Sequence, residues 1–224
     1  MLLLAADTSG KHGSIALAQC GPADECRVLE VVPLTGGTFS AQLVPQIAGL
    51  LEKHGYTKQD IAAFAVASGP GSFTGLRVGL AAIKALAEVL NKPIAAVSRL
   101  EVVAISARSH GKVLSALDAG RNEIFLGEYE IVDSGSQMIR EWLVSPDELE
   151  DSIDGATLVT PDTNVLEAAR AKSLPVLAVE HPHSDAIARL GWRKICAGQT
   201  ISPAELEANY IRRSDAEIFA KSSS

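Results

Sequence analysis

Two turn segments carry the residue types that could do chemistry. Asp7-Thr8-Ser9 closes one apolar run, and Asp118-Ala119-Gly120-Arg121 closes another. An Asp at the end of a strand can orient a nucleophile or a metal-bound water, and neighbouring hydroxyls can meet phosphate oxygens. The same residues have a plainer use. An Asp in a tight turn bonds its own backbone, and Arg121 can lie on the surface. The histidines His12, His54, His110, His181 and His183 show no i, i+4 pair that would put two ligands on one helix face. No G-x-S-x-G nucleophile elbow and no G-x-x-x-x-G-K-[ST] phosphate loop occurs. Cys20, Cys26 and Cys196 form neither a disulfide framework nor a zinc knuckle by spacing. A reduced, cytoplasmic setting is the default expectation. Arg189, Arg193 and Lys194 cluster near the C-terminal end of an expected helix, where the helix dipole accounts for them better than an RNA contact does.

The elements that position these turns are organised around 68–90, SGPGSFTGLRVGLAAIKALAEVL. The apolar run Ile61 to Ala67 reads as a buried strand, the Gly-Pro-Gly as a turn, and 72–90 as a helix capped by Ser72 or Thr74. At about 100° per residue, Arg77, Lys84 and Glu88 fall on one polar stripe, with Gly75, Gly79, Ala82 and Leu86 opposite and apolar residues on both flanks. Gly75 and Gly79 each cost roughly 1 kcal/mol in a helix relative to Ala, so something packs against their backbone. That something is either the chain's own sheet or a partner subunit. A dinucleotide loop does not fit, because Thr74 stands where that fingerprint needs glycine.

Strands are expected at Leu2–Ala6, Ser14–Cys20 and Arg27–Pro33, then a helix from Ala41 to His54 capped by Thr38 or Ser40. Next come the central strand and helix, and a strand at Ile94–Val97. A short helix at Leu100–Ser109 leads to strands at Val113–Asp118, Glu123–Val132 and Met138–Val144. Alternation fails near Tyr129, which suggests a bulge. Ser145-Pro146-Asp147-Glu148 reads as a capped helix start. A strand at Leu158–Thr160, a helix at Thr163–Lys172, a strand at Leu174–Val179 and a helix at Ser184–Ala197 complete the order. Both halves therefore read βββαβαβ, the order of the ribonuclease-H-like fold. No Pro/Gly/Ser linker separates them, so two packed lobes are expected, 1–99 and 100–224. The 184–198 helix is a candidate to pack back on the first lobe.

Composition narrows the classes. The 224 residues are 47% hydrophobic but only 4% aromatic, which suits close-packed α/β layers of Ala, Val, Leu and Ile. A formal charge of −7 argues against a bulk electrostatic grip on nucleic acid. The apolar start, Leu2 to Ala6, is too short for a membrane helix and lacks a basic flank.

LLLAADTSGKHGSIAL, SGPGSFTGLRVGLAAIKALA, LDAGRNEIFLGEY and NYIRRSDAE together resemble the TsaB (YeaZ) family of bacterial tRNA threonylcarbamoyladenosine biosynthesis proteins. The resemblance runs through nearly the whole chain. It implies an actin-like (ASKHA), duplicated ribonuclease-H-like fold of two lobes and a cytoplasmic role in N6-threonylcarbamoylation of adenosine 37 in tRNAs reading codons that start with A. It further implies a TsaD-like catalytic partner of which this chain is a paralogue, a TsaE-like ATPase that handles ATP for the complex, a homodimer when free, tRNA met only through the complex, and no membrane. TsaD carries two histidines where this chain has Val97-Ser98-Arg99-Leu100-Glu101-Val102-Val103. Ser98 and Val102 cannot rebuild a metal site. A non-catalytic subunit with no cofactor of its own is therefore expected, with Phe73, Gly75, Leu76, Arg77, Gly79, Leu80 and Ile83 at a partner or dimer interface. Leu76, Leu80 and Ile83 are the preferred flank, ahead of Val78 and Val89. Asp7, Thr8, Ser9, Asp118 and Arg121 are the expected remnant of a nucleotide cleft. The alternative is an independent actin-like ATPase or small kinase using that cleft. For it, Asp154 to Val159 offers only a one-glycine adenosine loop.

Overall fold

The computed structural model describes residues 1–22, 24–34, 39–133, 135–153 and 155–211. Strands β1 (Leu2–Asp7), β2 (Gly13–Cys20) and β3 (Cys26–Leu34) precede helix α1 (Phe39–Lys53). Strand β4 (Ile61–Gly69), helix α2 (Phe73–Leu90), strand β5 (Ile94–Ser98) and helix α3 (Arg99–Ser106) follow. The second half repeats the order with β6 (Gly111–Gly120), β7 (Glu123–Val132), β8 (Gly135–Val144), α4 (Leu149–Ile153), β9 (Thr157–Thr160), α5 (Thr163–Ala171), β10 (Val176–Ala178) and α6 (Ser184–Cys196). One sheet runs β3-β2-β1-β4-β5 and the other β10-β9-β6-β7-β8, so each is the same arrangement of its own five strands. The bulge near Tyr129 is present, as a register shift between Glu128 and Tyr129.

β1 does not alternate because both of its faces are covered. Leu2, Leu4 and Ala6 point into a core with Ile47 and Leu51 of α1 and Leu76, Leu80 and Ile83 of α2. Leu3 and Ala5 point into another with Ile187, Ala188 and Trp192 of α6. Gly191 lets α6 approach closely, since a Cβ there would overlap that of Ala65. The second sheet is built likewise. Leu114, Ala116 and Leu126 pack with Leu149, Val165 and Ala169 on one face. Val113, Leu117 and Tyr129 pack with Leu100 and Val103 of α3 on the other. Each half thus sends its last helix to the opposite sheet.

Two helix starts differ from expectation. α1 begins at Phe39, so Ser40 lies inside the helix; the Phe39 ring packs so tightly on Gly13 that a Cβ there would stand 2.8 Å from it. Thr38, the other candidate cap, lies outside the described residues. After β8, Ser145 and Glu148 close a turn through the Ser145 N–H and Oγ, each 2.8 Å from the Glu148 carboxylate, and the helix begins only at Leu149. Pro146 is therefore in the turn.

The described part of the tail, up to residue 211, packs on the first half. Ile201 bridges to Ile94, Leu206 is buried with the first core, and the Asn209 N–H donates to the Ser68 carbonyl at 2.7 Å. Arg212 and Arg213 lie outside the described residues. No described helix is long and apolar enough to cross a membrane.

Candidate functional site

Ser72 caps α2, accepting from the Gly75 N–H at 3.3 Å, while Thr74 is inside the helix. The cap sets the first turn of α2 directly over the β1–β2 turn. The Ser72 N–H donates to the Ser9 carbonyl at 2.7 Å, and the Thr8 Oγ1 donates to the Gly75 carbonyl at 2.7 Å. A Cβ on Gly71 would run into Ser9, on Gly75 into the Thr8 carbonyl, and on Gly79 into the Thr8 Oγ1. The glycines therefore make room for the chain's own β1–β2 turn.

Consequently the first turn is closed. Asp7, Thr8 and Ser9 are 4%, 3% and 1% exposed. The Asp7 Oδ1 accepts from the Ser9 N–H at 2.8 Å and from the Ser9 Oγ, the bonding of a structural turn. Its other oxygen, Oδ2, faces the Arg99 Nε at 3.7 Å, and Arg99 Nη1 donates to the Pro70 carbonyl at 3.3 Å. The Arg99 Nε is buried without a hydrogen-bond partner of its own. Arg99 begins α3, within the stretch where the TsaD resemblance looks for metal-binding histidines. A fixed guanidinium against the Asp7 carboxylate repels a metal ion, so these residues do not fit a metal centre. Asp7, Thr8 and Ser9 thus lie in a filled junction beneath the start of α2. Sequence reading missed Arg99, which shares its short stretch with a second charge, Glu101, and so does not stand out.

The second turn is open and separate. A cavity of about 400 Å³ is lined by second-half residues, among them Asp118, Arg121, Asn122, Pro146 and Asn164. Asp118 Oδ1 accepts from the Gly120 N–H at 2.7 Å, its Oδ2 accepts from Asn164 Nδ2 at 3.3 Å, and its own N–H donates to Asp162 at 2.8 Å. Arg121 and Asn122 both take left-handed φ, 56° and 58°, as a tight hairpin turn requires. Within the one-glycine adenosine candidate, Asp154 lies outside the described residues, and Leu158 and Val159 are buried strand.

The interface set divides. Leu76, Leu80 and Ile83 face the first core, with Leu76 only 1% exposed, so this flank is not available to a partner. Gly75 and Gly79 are buried as well. The apolar residues of α2 lie on both flanks of its stripe, and one flank is spent on the sheet. Val89 is open to solvent, Val78 half-buried. Phe73 and Arg77 are the members that reach the surface, with the Arg77 guanidinium carbon 3.8 Å above the Phe73 ring centroid. Together with Leu43, Val44, Val78, Ala81 and Ala82 they line a groove of about 490 Å³ between α1 and α2. Val44 and Phe73 are 53% and 39% exposed there. Tyr210 of the tail edges this groove, its ring 5.0 Å from Phe73 and its hydroxyl accepting from Arg77 Nε at 3.2 Å.

A half-buried polar junction joins the halves next to that tail. Glu141 accepts from Ser98 Oγ, the Tyr129 hydroxyl and Asn209 Nδ2. Burial first, then the Glu141 charge, pushes the Tyr129 hydroxyl well above its ordinary value. On α3, Glu101 is paired with Lys194 of α6 at 3.0 Å and accepts from Ser136 Oγ at 2.7 Å. These residues come together only through the crossing of β8, α3, α6 and the tail.

Known proteins share both the sequence pattern and the fold. Residues 31–186 match the family model described as TsaD: tRNA N6-adenosine threonylcarbamoyltransferase. A tRNA threonylcarbamoyladenosine biosynthesis protein TsaB of Bacillus subtilis is 32% identical over 64% of this chain, and the match spans 65% of that relative's length. The protein of the same name from Haemophilus influenzae is 28% identical, with 95% of this chain and 94% of the relative covered. The solved structure of YeaZ from Pseudomonas aeruginosa superposes with a TM-score of 0.76 at 25% identity, covering 93% of this chain and 99% of that one.

Proposed function

Because the chain belongs to the TsaD family of tRNA threonylcarbamoyladenosine biosynthesis, on its TsaB (YeaZ) side, with the actin-like two-lobed fold of that group, we propose that it is a non-catalytic partner subunit. In this reading it binds a TsaD-type transferase and activates it for N6-threonylcarbamoylation of adenosine 37. ATP is handled by a TsaE-type ATPase, tRNA is met through the complex, and the free chain pairs with itself.

The observation that carries the proposal is a contrast between two places on α2. Its N-terminal turn seals the Asp7 junction, where Arg99 faces the Asp7 carboxylate. Its outer side, at Phe73, Arg77 and Val78, leaves an apolar groove open against α1. Catalysis has to draw several kcal/mol of transition-state stabilisation from positioned groups, whereas an activating subunit needs only a better fit to one state of its partner. The groove suits an activating subunit, because an apolar floor with an aromatic and an arginine at its edge is the composition of an interface centre.

The test is reconstitution with a TsaD-type subunit, a TsaE-type ATPase, threonylcarbamoyl-adenylate and tRNA. Modification is expected to depend on this chain and to fail with Phe73→Glu. If Asp7→Asn or Asp118→Asn abolishes modification while the complex stays intact on gel filtration, the non-catalytic reading is wrong. A second reading, an independent actin-like ATPase, draws support only from the open cavity at Asp118 and Arg121. ATP turnover by the isolated chain, lost in Asp118→Asn, would favour it.

A further inference from the structure

Cys20 and Cys26 are directly opposite one another across the β2–β3 pair. Both polar backbone groups of Cys20 are turned the other way. Its N–H donates to the Met1 carbonyl at 2.8 Å, and its carbonyl accepts from the Met1 amino group at 2.6 Å. Toward β3, Cys20 and Cys26 are therefore a non-hydrogen-bonded pair, the register in which facing Cα atoms come within about 4.5 Å and side chains are nearest. Their sulfurs lie 3.5 Å apart, the Cys20 thiol donating to the Cys26 sulfur. Disulfides bridge Cα separations of about 4.4–6.8 Å, so this register can close without moving either strand far.

The two sulfurs differ in surroundings. Cys20 is buried in the core beneath α6, and Cys26 is half-buried at its border. Arg189 of α6 donates Nη1 to the Cys26 carbonyl at 3.3 Å, and its Nη2 lies 3.6 Å from Asp185. The hydrogen bond from Cys20, and after it the Arg189 charge, hold the Cys26 thiol below its ordinary value against the effect of burial. The same hydrogen bond, with burial behind it, pushes Cys20 up. One sulfur is thus the better thiolate, and the other is a resolving thiol already in contact with it.

We propose that Cys20 and Cys26 form a peroxide-reactive dithiol that closes reversibly to a cross-strand disulfide. The Cys26 thiolate attacks a peroxide oxygen; the S–O bond forms, the O–O bond breaks, and the departing hydroxide takes a proton to become water. Cys26 is then a sulfenic acid. Cys20 gives up its proton and attacks the Cys26 sulfur, forming the S–S bond as the S–O bond breaks, and the hydroxyl leaves as a second water. Two thiols lose two electrons in all, and one hydrogen peroxide gains them. The loop so closed is short, so the bond constrains the unfolded chain less than a long-range staple would. Its effect is local. The turn between the cysteines is held to α6 by Trp192 Nε1, which donates to the Gly21 carbonyl at 3.1 Å. Closing the pair alters the setting of that indole.

The test uses the full chain, reduced, desalted and treated with a small excess of hydrogen peroxide, then alkylated and mapped by mass spectrometry. The expected result is loss of two hydrogens on the segment carrying Cys20 and Cys26, and protection of both from alkylation. Cys196 stays alkylatable, dithiothreitol restores the thiols, and tryptophan emission shifts in step. In Cys20→Ala, a 1,3-dione probe traps a sulfenic acid on Cys26. In Cys26→Ser, oxidation of Cys20 slows at least about tenfold, the loss expected when the better thiolate is removed. Full alkylation of Cys20 and Cys26 after peroxide, or oxidation confined to Cys196, overturns the proposal. So does an unchanged rate of Cys20 oxidation in Cys26→Ser.

Discussion

The Thr8 hydroxyl is inserted between Gly75 and Gly79, donating to the carbonyl of the first and filling the space where the second would carry a Cβ. This contact locks α2 onto the β1–β2 turn. Gly75→Ala and Gly79→Ala are each expected to destabilise the protein by about 1–3 kcal/mol, the cost of overpacking a filled site. Gly49→Ala in α1, where a Cβ would meet nothing within 4 Å, should instead stabilise by about 0.5–1 kcal/mol. Urea denaturation of the three variants checks the contrast; equal effects at all three sites would remove Thr8 from the explanation.

On α2 a charge should act differently by position. Leu76→Glu buries an unpaired carboxylate in the first core and is expected to abolish folding. Val44→Glu and Phe73→Glu place the charge in the open groove, so the monomer should keep its Tm within a few degrees while self-association and partner binding weaken at least about tenfold, or 1.4 kcal/mol. Light scattering together with a TsaD-type pull-down measures both. Unchanged association in both variants would point away from the groove.

Arg99→Met should cost on the order of 2–3 kcal/mol, because it strands the buried Asp7 carboxylate. If the guanidinium matters through that carboxylate, Arg99→Met combined with Asp7→Asn will recover part of the loss in a double-mutant cycle. Strict additivity would mean that the two side chains do not interact.

Glu128 predicts an acid limb. Lys112 first, at 2.8 Å, and then Arg140, at 2.8 Å, hold its carboxyl below the ordinary glutamate value. A folded-state value that is depressed contributes stability above the unfolded value of about 4, and that contribution is lost as pH falls through the folded value. Stability should therefore drop on acidification below about pH 4.5, and Glu128→Gln should flatten that part of the curve. Chemical denaturation at a series of pH values reads this out; an acid limb of undiminished slope in the variant would assign it to other carboxylates.

The order of elements was legible from periodicity, because the central strands β1 and β4 are apolar runs and the helices end at a Gly, a Pro or a polar cluster. Family membership was legible from the residues around Gly69 and Gly75. The direction in which α2 faces was not. Leu76 and Val78 are equally apolar, and only the position of the sheet decides that the first is buried. The same limit hid the partner of the two glycines: their spacing announces a close approach, and the approaching group, Thr8, lies far away in sequence. Glu141 gave no signal at all, since Ser98, Tyr129 and Asn209 converge on it from three distant segments. Cys20 and Cys26 looked unpaired because a separation of six reads as nothing until the hairpin register sets them opposite.

Translation meets the helix exchange as a problem of timing. The first sheet is complete in sequence at Ser98, yet the helix that covers its second face does not begin until Ser184. At 5–20 residues per second, a nascent chain would carry that bare face of Leu3, Ala5, Ala16 and Ala65 for on the order of 4–20 seconds. The small side chains on it make the wait tolerable, because an alanine-rich face offers a passing chain little to hold. A stop codon placed between β10 and α6 makes that exposure permanent and should leave a product that is taken up by chaperones or degraded, even though every strand of both sheets has been made.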